Sequence, residues 1–367
     1  MDIFYLGQVS EKCWDDFCQN QESAWFLHTT DWVKYCENSR FNVRSQNCSF
    51  VVMNDDKTTA IVPLLIEETS KDGVKIREFT FSGGPTPKYI IDSKIGRKLY
   101  NRIEGEIWHK INSIAKDQGV VKLWMRENVQ NRCYLLSSTL KDVCDLNATD
   151  LAKSGFLDTS IYSSVLFLDQ CENFLMSQMR KGHHAAIKKA LKFLSVNYYD
   201  SDSISPEKME QFRERYFYIA GKVTRPYKTF DILYDFIKSN NGVLFEACLG
   251  NKAVGYSYVI IYKGYAYYAM SCTESEYKEF NVSHYLQWKI IIKLKQIGVI
   301  FYELGEQHFE PTFFYSVSEK IKGISAFKRG FGGRMILQIS GEYFYDKEFF
   351  KKTFDERILR YIEERWK

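Results

Sequence analysis

A chain of 367 residues is longer than one ordinary hydrophobic core supports, so its length points to two domains. Hydrophobic residues at 45% and charged residues at 26% exclude a disordered chain, and no apolar run approaches the roughly 20 residues that cross a bilayer. The net charge of +4 is too small for the clustered basic face that nucleic acid requires and fits small anionic ligands instead.

In chain order, residues 2–6 read as an edge strand and 10–19 as a short helix capped by Ser10. Residues 1–17 carry acids where a secretion signal needs cations before an apolar block. A helix follows from about residue 30, with Trp32, Val33 and Tyr35 at its start. Residues 49–68 read as a hairpin about the turn Asn54-Asp55-Asp56-Lys57. A strand at 74–81 runs into a Gly/Pro loop at 82–90. Over 93–117, Ile95, Leu99, Ile103, Ile107 and Ile111 recur every four residues, which predicts a long amphipathic helix ending at Gly119. Residues 120–127 give the next strand. Strands alternating with helices make an α/β unit over the first 160 residues.

A second unit repeats that order. A strand at 164–169, a helix at 172–179 and a basic segment at 180–193 lead to a strand at 195–200 and helices at 205–222 and 229–240. Three strands joined by the tight turns Gly250-Asn251-Lys252 and Lys263-Gly264 follow over about 243–274. A loop and helix (275–298) and a strand (299–306) come next, and a strand at 334–345 and a helix at 346–367 close the chain. Nine scattered cysteines (13, 18, 36, 48, 133, 144, 171, 248, 272) show no C-x-x-C pair, so they read as reduced thiols of a cytoplasmic protein. Aromatics at 16% fit thick cores, and also a cleft lined by ring faces.

Two segments carry candidate chemistry. A helix N-terminus offers unpaired N–H groups and about half a positive charge, enough to hold a pyrophosphate. Here that end falls at Asn281, Val282, Ser283 and His284, with Asn281 or Ser283 as cap. Residues 327–333, FKRGFGG, place Lys328 and Arg329 beside three glycines, which read as a turn allowing close backbone approach to a ligand.

FKRGFGG (327–333), the order of three strands, helix and strand, HYLQWKIIIKLKQIG (284–298), YELGE (302–306) and RKGHHAAIKKALK (180–192) together resemble the Fem-type branch of the GNAT superfamily, in particular its nucleotide-sugar N-acyltransferases. That branch has a Trp-containing helix ending xxGxxxYDxGG, then FKxGFGG. Trp288 and Gly298 match, while Glu303 stands where Asp is usual and Glu306 where Gly is usual. The Gly-rich Q/R-x-x-G-x-G/A loop of other GNAT enzymes is missing. The resemblance is strongest over 176–335. It implies an α/β (α+β) fold of two GNAT-like domains, each a mixed, mostly antiparallel sheet flanked by helices, with a cleft between them. Residues 1–160 completed by about 340–367 make the first domain, and 161–339 the second, which carries the acyl-donor site.

The resemblance also implies a function. The expected reaction is acyl transfer from acyl-CoA to the amino group of a dTDP- or UDP-linked amino sugar, in bacterial surface-polysaccharide (lipopolysaccharide, O-antigen) synthesis. The enzyme is expected to be a monomer without a permanently bound cofactor. Other members transfer amino acids from charged tRNA to peptidoglycan precursors, often through a coiled-coil arm. No sustained heptads occur here. That aminoacyl-tRNA reading, and a non-catalytic GNAT-like binding module, stay as alternatives.

By the resemblance, Lys328 stabilises charge developing on the reacting carbonyl, while Arg329 is exposed or structural. The attacking amine must be neutral, and Glu303, Glu306, His308, His183 and His184 are the available bases; catalysis without a protein base stays open. Arg180, His183, His184 and Lys188 could grip phosphates, and Lys34, Gly84, Lys88 and Phe327 are further substrate-site candidates. Adjacent His183 and His184 diverge on a helix, so no metal site is expected.

Overall fold

A computed structural model of the chain describes residues 1–71, 73–127 and 150–366; Cys133 and Cys144 lie outside them. The seven described cysteines form no disulfide with one another. The chain divides into two units. Residues 1–161, 311–316 and 337–367 form the first, and 162–310 with 317–336 form the second. The returning segment thus begins at 337 rather than about 340, and the first unit also takes 311–316.

In the first unit, the strand Asp2–Tyr5 lies at the edge of a sheet against Phe50–Asn54, which pairs in turn with Lys57–Val62. The turn between the last two puts Asp55 and Asp56 at φ of 51° and 59°, the left-handed region that short acidic side chains tolerate. The helix Arg97–Gln118 buries Ile103, Ile107, Ile111 and Ile114 and stops at Gly119 in the left-handed conformation. The strand after it, Lys122–Arg126, runs parallel to Val74–Phe79. Ser340–Phe344 lies antiparallel between Lys122–Arg126 and Leu157–Asp158, so the end of the chain completes this sheet. A buried ion cluster fastens it: Glu342 accepts from Arg357 Nη1 and Nη2 (2.7 and 2.8 Å) and from Lys122 Nζ (3.1 Å). Arg357 belongs to the closing helix Lys347–Arg365.

The second unit runs β1 (Ile161–Phe167), α1 (Glu172–Ser177), α2 (Lys181–Ala190), β2 (Leu194–Tyr199), α3 (Pro206–Ala220), α4 (Lys228–Lys238), β3 (Gly242–Leu249), β4 (Lys252–Tyr262), β5 (Tyr265–Thr273), α5 (Val282–Gln296), β6 (Phe301–Gln307), α6 (Glu319–Arg329) and β7 (Arg334–Gln338). Its sheet order is β2-β3-β4-β5-β6-β1-β7. Leu286, Ile290, Ile291 and Leu294 of α5 pack with Val243, Phe245, Val259 and Tyr302 in one core. Each such aliphatic side chain contributes about 1.5–3 kcal/mol by leaving water.

Two expectations are corrected. Residues 334–345 form two strands, β7 and Ser340–Phe344, in different sheets, because Ile339 leaves the ladder to give its carbonyl to the Glu127 N–H. Residues 327–333, read as a turn, begin inside helix α6, which starts where Ser318 accepts the Ile321 N–H. Phe327, Lys328 and Arg329 therefore sit in a helical last turn, and only residues 330–333 form the Gly-rich turn.

Candidate active site

The site begins where β5 and β6 part. They share three parallel rungs, Tyr265 with Phe301, Ala266 with Tyr302 and Tyr267 with Glu303. Beyond these each strand keeps its outer partner: β5 follows β4 to Thr273 and β6 follows β1 to Gln307. Just past the last rung both carry a bulge, since Ala269 is skipped in the β4–β5 register and Leu304 in the β1–β6 register. Bulges sharpen strand twist. Two in adjacent strands open a fork in the sheet.

Lys328 reaches this fork. Its Nζ lies 2.9 Å from the point a Cβ would occupy on Gly305, and the Tyr267 ring and hydroxyl approach the same point at 3.9 Å. Gly305 has φ +93°, a conformation that only glycine adopts freely. Burial holds the Lys328 ammonium below the ordinary lysine pKa, partly opposed by the charges of Glu306 and Glu303. Glu303 is itself buried, accepting from Ser163 Oγ at 2.7 Å, which makes it a fixed counter-charge to Lys328. Glu306 is more exposed, 3.8 Å from His308 Nε2, and the His308 N–H donates to Ser325 Oγ. Arg329 points elsewhere, donating to Gln307 Oε1 and lying over the Phe309 ring.

A cavity of about 480 Å³ adjoins the start of α5, lined by Asn281, Val282, Ser283 and His284 with Phe327, Lys278 and Glu274. Neither expected cap operates. Asn281 adopts a left-handed φ of 57° and turns its amide to the Glu279 carbonyl, while Ser283 Oγ meets Thr273 Oγ1 at 3.1 Å. The helix start, with no side-chain cap, keeps donors and positive dipole for an anion in the cavity.

The inner wall is aromatic. The His284 ring lies 4.6 Å from His183 and 5.0 Å from Phe327, and His183 packs 4.7 Å from Phe331. Burial, helped by neighbouring His183, pushes His284 down to about 4. Burial also lowers His183, against the bond it donates from Nε2 to the Phe327 carbonyl at 2.9 Å. Both imidazoles are neutral at pH 7. The phosphate-gripping role expected of His183 is thus corrected: the ring is turned inward. The glycines serve this packing as well, because a Cβ on Gly330 would meet the His183 ring at 2.2 Å. The close approach they allow is to protein.

Arg180, His184 and Lys188 remain at the surface of α2 or its start, and the Arg180 N–H donates to the Gly330 carbonyl at 2.8 Å. In the first unit, Lys34 pairs with Glu11 at 2.6 Å, and Gly84 exchanges two backbone bonds with Phe81. Lys88 lies 3.7 Å from Glu127. Trp32 and Tyr35 stack on one another at 4.7 Å. Sequence reasoning missed Gly305 and Tyr267. A glycine inside a strand was the available signal, since it marks a bulge or a close approach.

A parallel pair that opens into a fork beside an uncapped helix start defines an acyltransferase of the GNAT type. Residues 179–315 match the family model described as Acetyltransferase (GNAT) domain. The second unit is thus a GNAT acyltransferase domain. The first repeats the same order of antiparallel strands, long helix and parallel strand, so the chain carries two GNAT-like domains. Its fold is similar to that of FemX (TM-score 0.65, 13% identity, covering 96% of this chain and 99% of that one). It is also similar to the C-terminal domain of a putative lysylphosphatidylglycerol synthetase from Agrobacterium fabrum (TM-score 0.54, 10% identity, 96% of each chain). L-PGS from Bacillus licheniformis is a further likeness (TM-score 0.53, 10% identity, 89% of this chain and 90% of that one). No curated protein matches the sequence. Among the described residues, no helix is long and apolar enough to cross a membrane.

Proposed function

We propose that the chain transfers an acyl group from acyl-CoA to the amino group of a dTDP- or UDP-linked amino sugar. The observation that carries this reading is the placement of Lys328 at the β5–β6 fork, in the same unit as the cavity at the uncapped start of α5. The donor's pyrophosphate would lie at that helix start, with Lys278 beside it, and its thioester at the fork. The amine nitrogen attacks the carbonyl carbon, and negative charge gathers on the oxygen beside the Lys328 ammonium. Such a fixed donor in a dry site is worth about 10²–10³ in rate. Collapse breaks the C–S bond, and one proton passes overall from nitrogen to the departing sulfur. Buried Glu303 is engaged with Ser163, which favours proton loss to solvent over a Glu303 base. The sugar-nucleotide acceptor rests on the sequence resemblance.

The likeness in fold to the C-terminal domain of a putative lysylphosphatidylglycerol synthetase supports a second reading, aminoacyl transfer from charged tRNA to a peptidoglycan precursor. The test is to incubate the protein with acyl-CoAs and a panel of dTDP- and UDP-amino sugars, following thiol release and product mass. Thiol release that requires both substrates and survives ribonuclease is expected. Silence with every pair, alongside ribonuclease-sensitive transfer from aminoacyl-tRNA, would establish the second reading instead.

A further inference from the structure

The surface beside the donor cavity carries a charge that the transfer chemistry leaves unused. From Asn173 to Tyr199 the chain has no acidic residue, and it holds Arg180, Lys181, Lys188, Lys189 and Lys192. Helix α5 has no acid either. Lys188, Lys189 and Lys192 are exposed, and among the described residues none of the three forms an ion pair. Lysines gathered without carboxylates repel one another, so such a surface favours an anionic partner.

The same stretch exposes apolar side chains. Leu191 and Phe193, between α2 and β2, flank Lys192 and are 58% and 49% exposed. The Phe193 ring lies 5.6 Å from Phe280, and Phe280 lies 6.3 Å from Tyr277, which lines the cavity at the start of α5. Further along β2, Lys293 of α5 sits 3.5 Å over the Tyr198 ring, so α5 borders the same strip. The turn Ser275–Phe280 is mixed in charge, with Glu276 and Glu279 against Lys278, and the positive field comes from α2. An apolar knob among lysines thus stands beside the donor cavity.

Its partner must be anionic, must cover Leu191 and Phe193, and must present an acyl thioester to the cavity. The nucleotide of CoA can stack on Phe193 but gives Leu191 nothing aliphatic, and an RNA backbone has the same shortcoming. A bilayer covers both side chains but holds no thioester. An acidic carrier protein meets all three demands, because an acidic amphipathic helix offers charge and an apolar stripe together. Its phosphopantetheine arm carries the acyl group.

We propose that the donor is delivered by an acidic carrier protein docked on α2 and residues 191–193, with the arm's phosphodiester at the uncapped start of α5. This rests on the acyl-thioester reading above and names what bears the thioester. The chemistry is unchanged: the amine nitrogen forms the amide, the C–S bond breaks, and the thiol stays on the arm. One proton passes overall from nitrogen to sulfur.

The test compares kcat/KM for acetyl and butyryl groups on a bacterial acyl carrier protein, on CoA and on free pantetheine, with the amino-sugar panel as acceptor. Wild type should favour the carrier over CoA by roughly 10-fold or more at low ionic strength, an advantage that shrinks as salt is added. Lys189→Glu/Lys192→Glu should remove that advantage through KM, and Leu191→Gln should reduce it. Turnover of acyl-pantetheine, which has no body to dock, verifies that the variants fold. Carrier and CoA used equally, or a carrier preference that the double variant leaves intact, overturns the proposal and leaves the acyl-thioester reading standing. So does binding to phosphatidylglycerol vesicles that the double variant loses, with no carrier preference in wild type, which would make the patch lipid-facing. Silence with every thioester overturns both. If aminoacyl-tRNA then serves as donor and the double variant weakens it, the patch is an RNA face.

Discussion

At Gly305 the chain gives up a side chain, and the space is taken by the end of Lys328, held 2.9 Å from the missing Cβ position. A methyl group there would push the ammonium aside and impose a side chain on a φ of +93°. Lys328→Met should lower kcat by about 10²–10³, and Gly305→Ala should lower it in the same direction by a smaller factor. The donor KM should change little in either, because the cavity at α5 is untouched. Steady-state kinetics with a melting curve for each variant checks this, and a Gly305→Ala enzyme with full kcat would refute it. Since burial depresses the Lys328 pKa, wild-type kcat should fall on the alkaline side below the usual lysine value of 10.5. Lys328 was legible in the sequence because FKxGF is a spaced motif. Gly305 and Tyr267 were not, because a strand glycine and a tyrosine gain meaning only from what the fold sets against them.

At the scale of elements, the three antiparallel strands, α5 and β6 were legible from apolar runs and tight turns. Helix α6 was hidden: Gly323 interrupts its propensity, and Ile321 and Ile324 face solvent, so no apolar stripe announces it. Its packing against α2 and α5 has a titration consequence. His284 is near 4 in the folded state against 6.5 when unfolded, so the fold holds the neutral ring. That stability is complete above 6.5 and is lost as pH falls toward 4. His284→Phe should therefore flatten the loss of stability between pH 6.5 and 4, seen as a smaller drop in denaturant midpoint than in wild type. Equal drops in the two proteins would disprove the assignment.

Across the whole molecule, the first unit loses stability to acid at lower pH. Burial alone would raise the Glu342 pKa, but the Arg357 hydrogen bonds and the charges of Lys122 and Arg357 outweigh it and hold the carboxylate below its ordinary 4.5. Its contribution is present above pH 4.5 and fades only below that. Arg357→Met strips Glu342 of two short bonds, and a broken buried pair costs about 3–5 kcal/mol. The variant should melt well below wild type at pH 7, and less so at pH 4, where Glu342 can take a proton. An unchanged melting temperature at pH 7 would count against the cluster. Two units were foreseeable because the sequence runs through the same order of parts twice. The excursion of 311–316 into the first unit was not, because no composition shift marks it.

The placement of Ser340–Phe344 inside the first sheet bears on synthesis. As the chain leaves the ribosome, residues 1–161 emerge before the second unit, yet their sheet lacks the strand that joins Lys122–Arg126 to Leu157–Asp158 until residues 340–344 arrive. The second unit, complete by residue 336, has all its strands but the end of β7 before then. The first unit, begun before the second, is therefore the later of the two that can close, and until residues 340–344 arrive it presents an open strand edge.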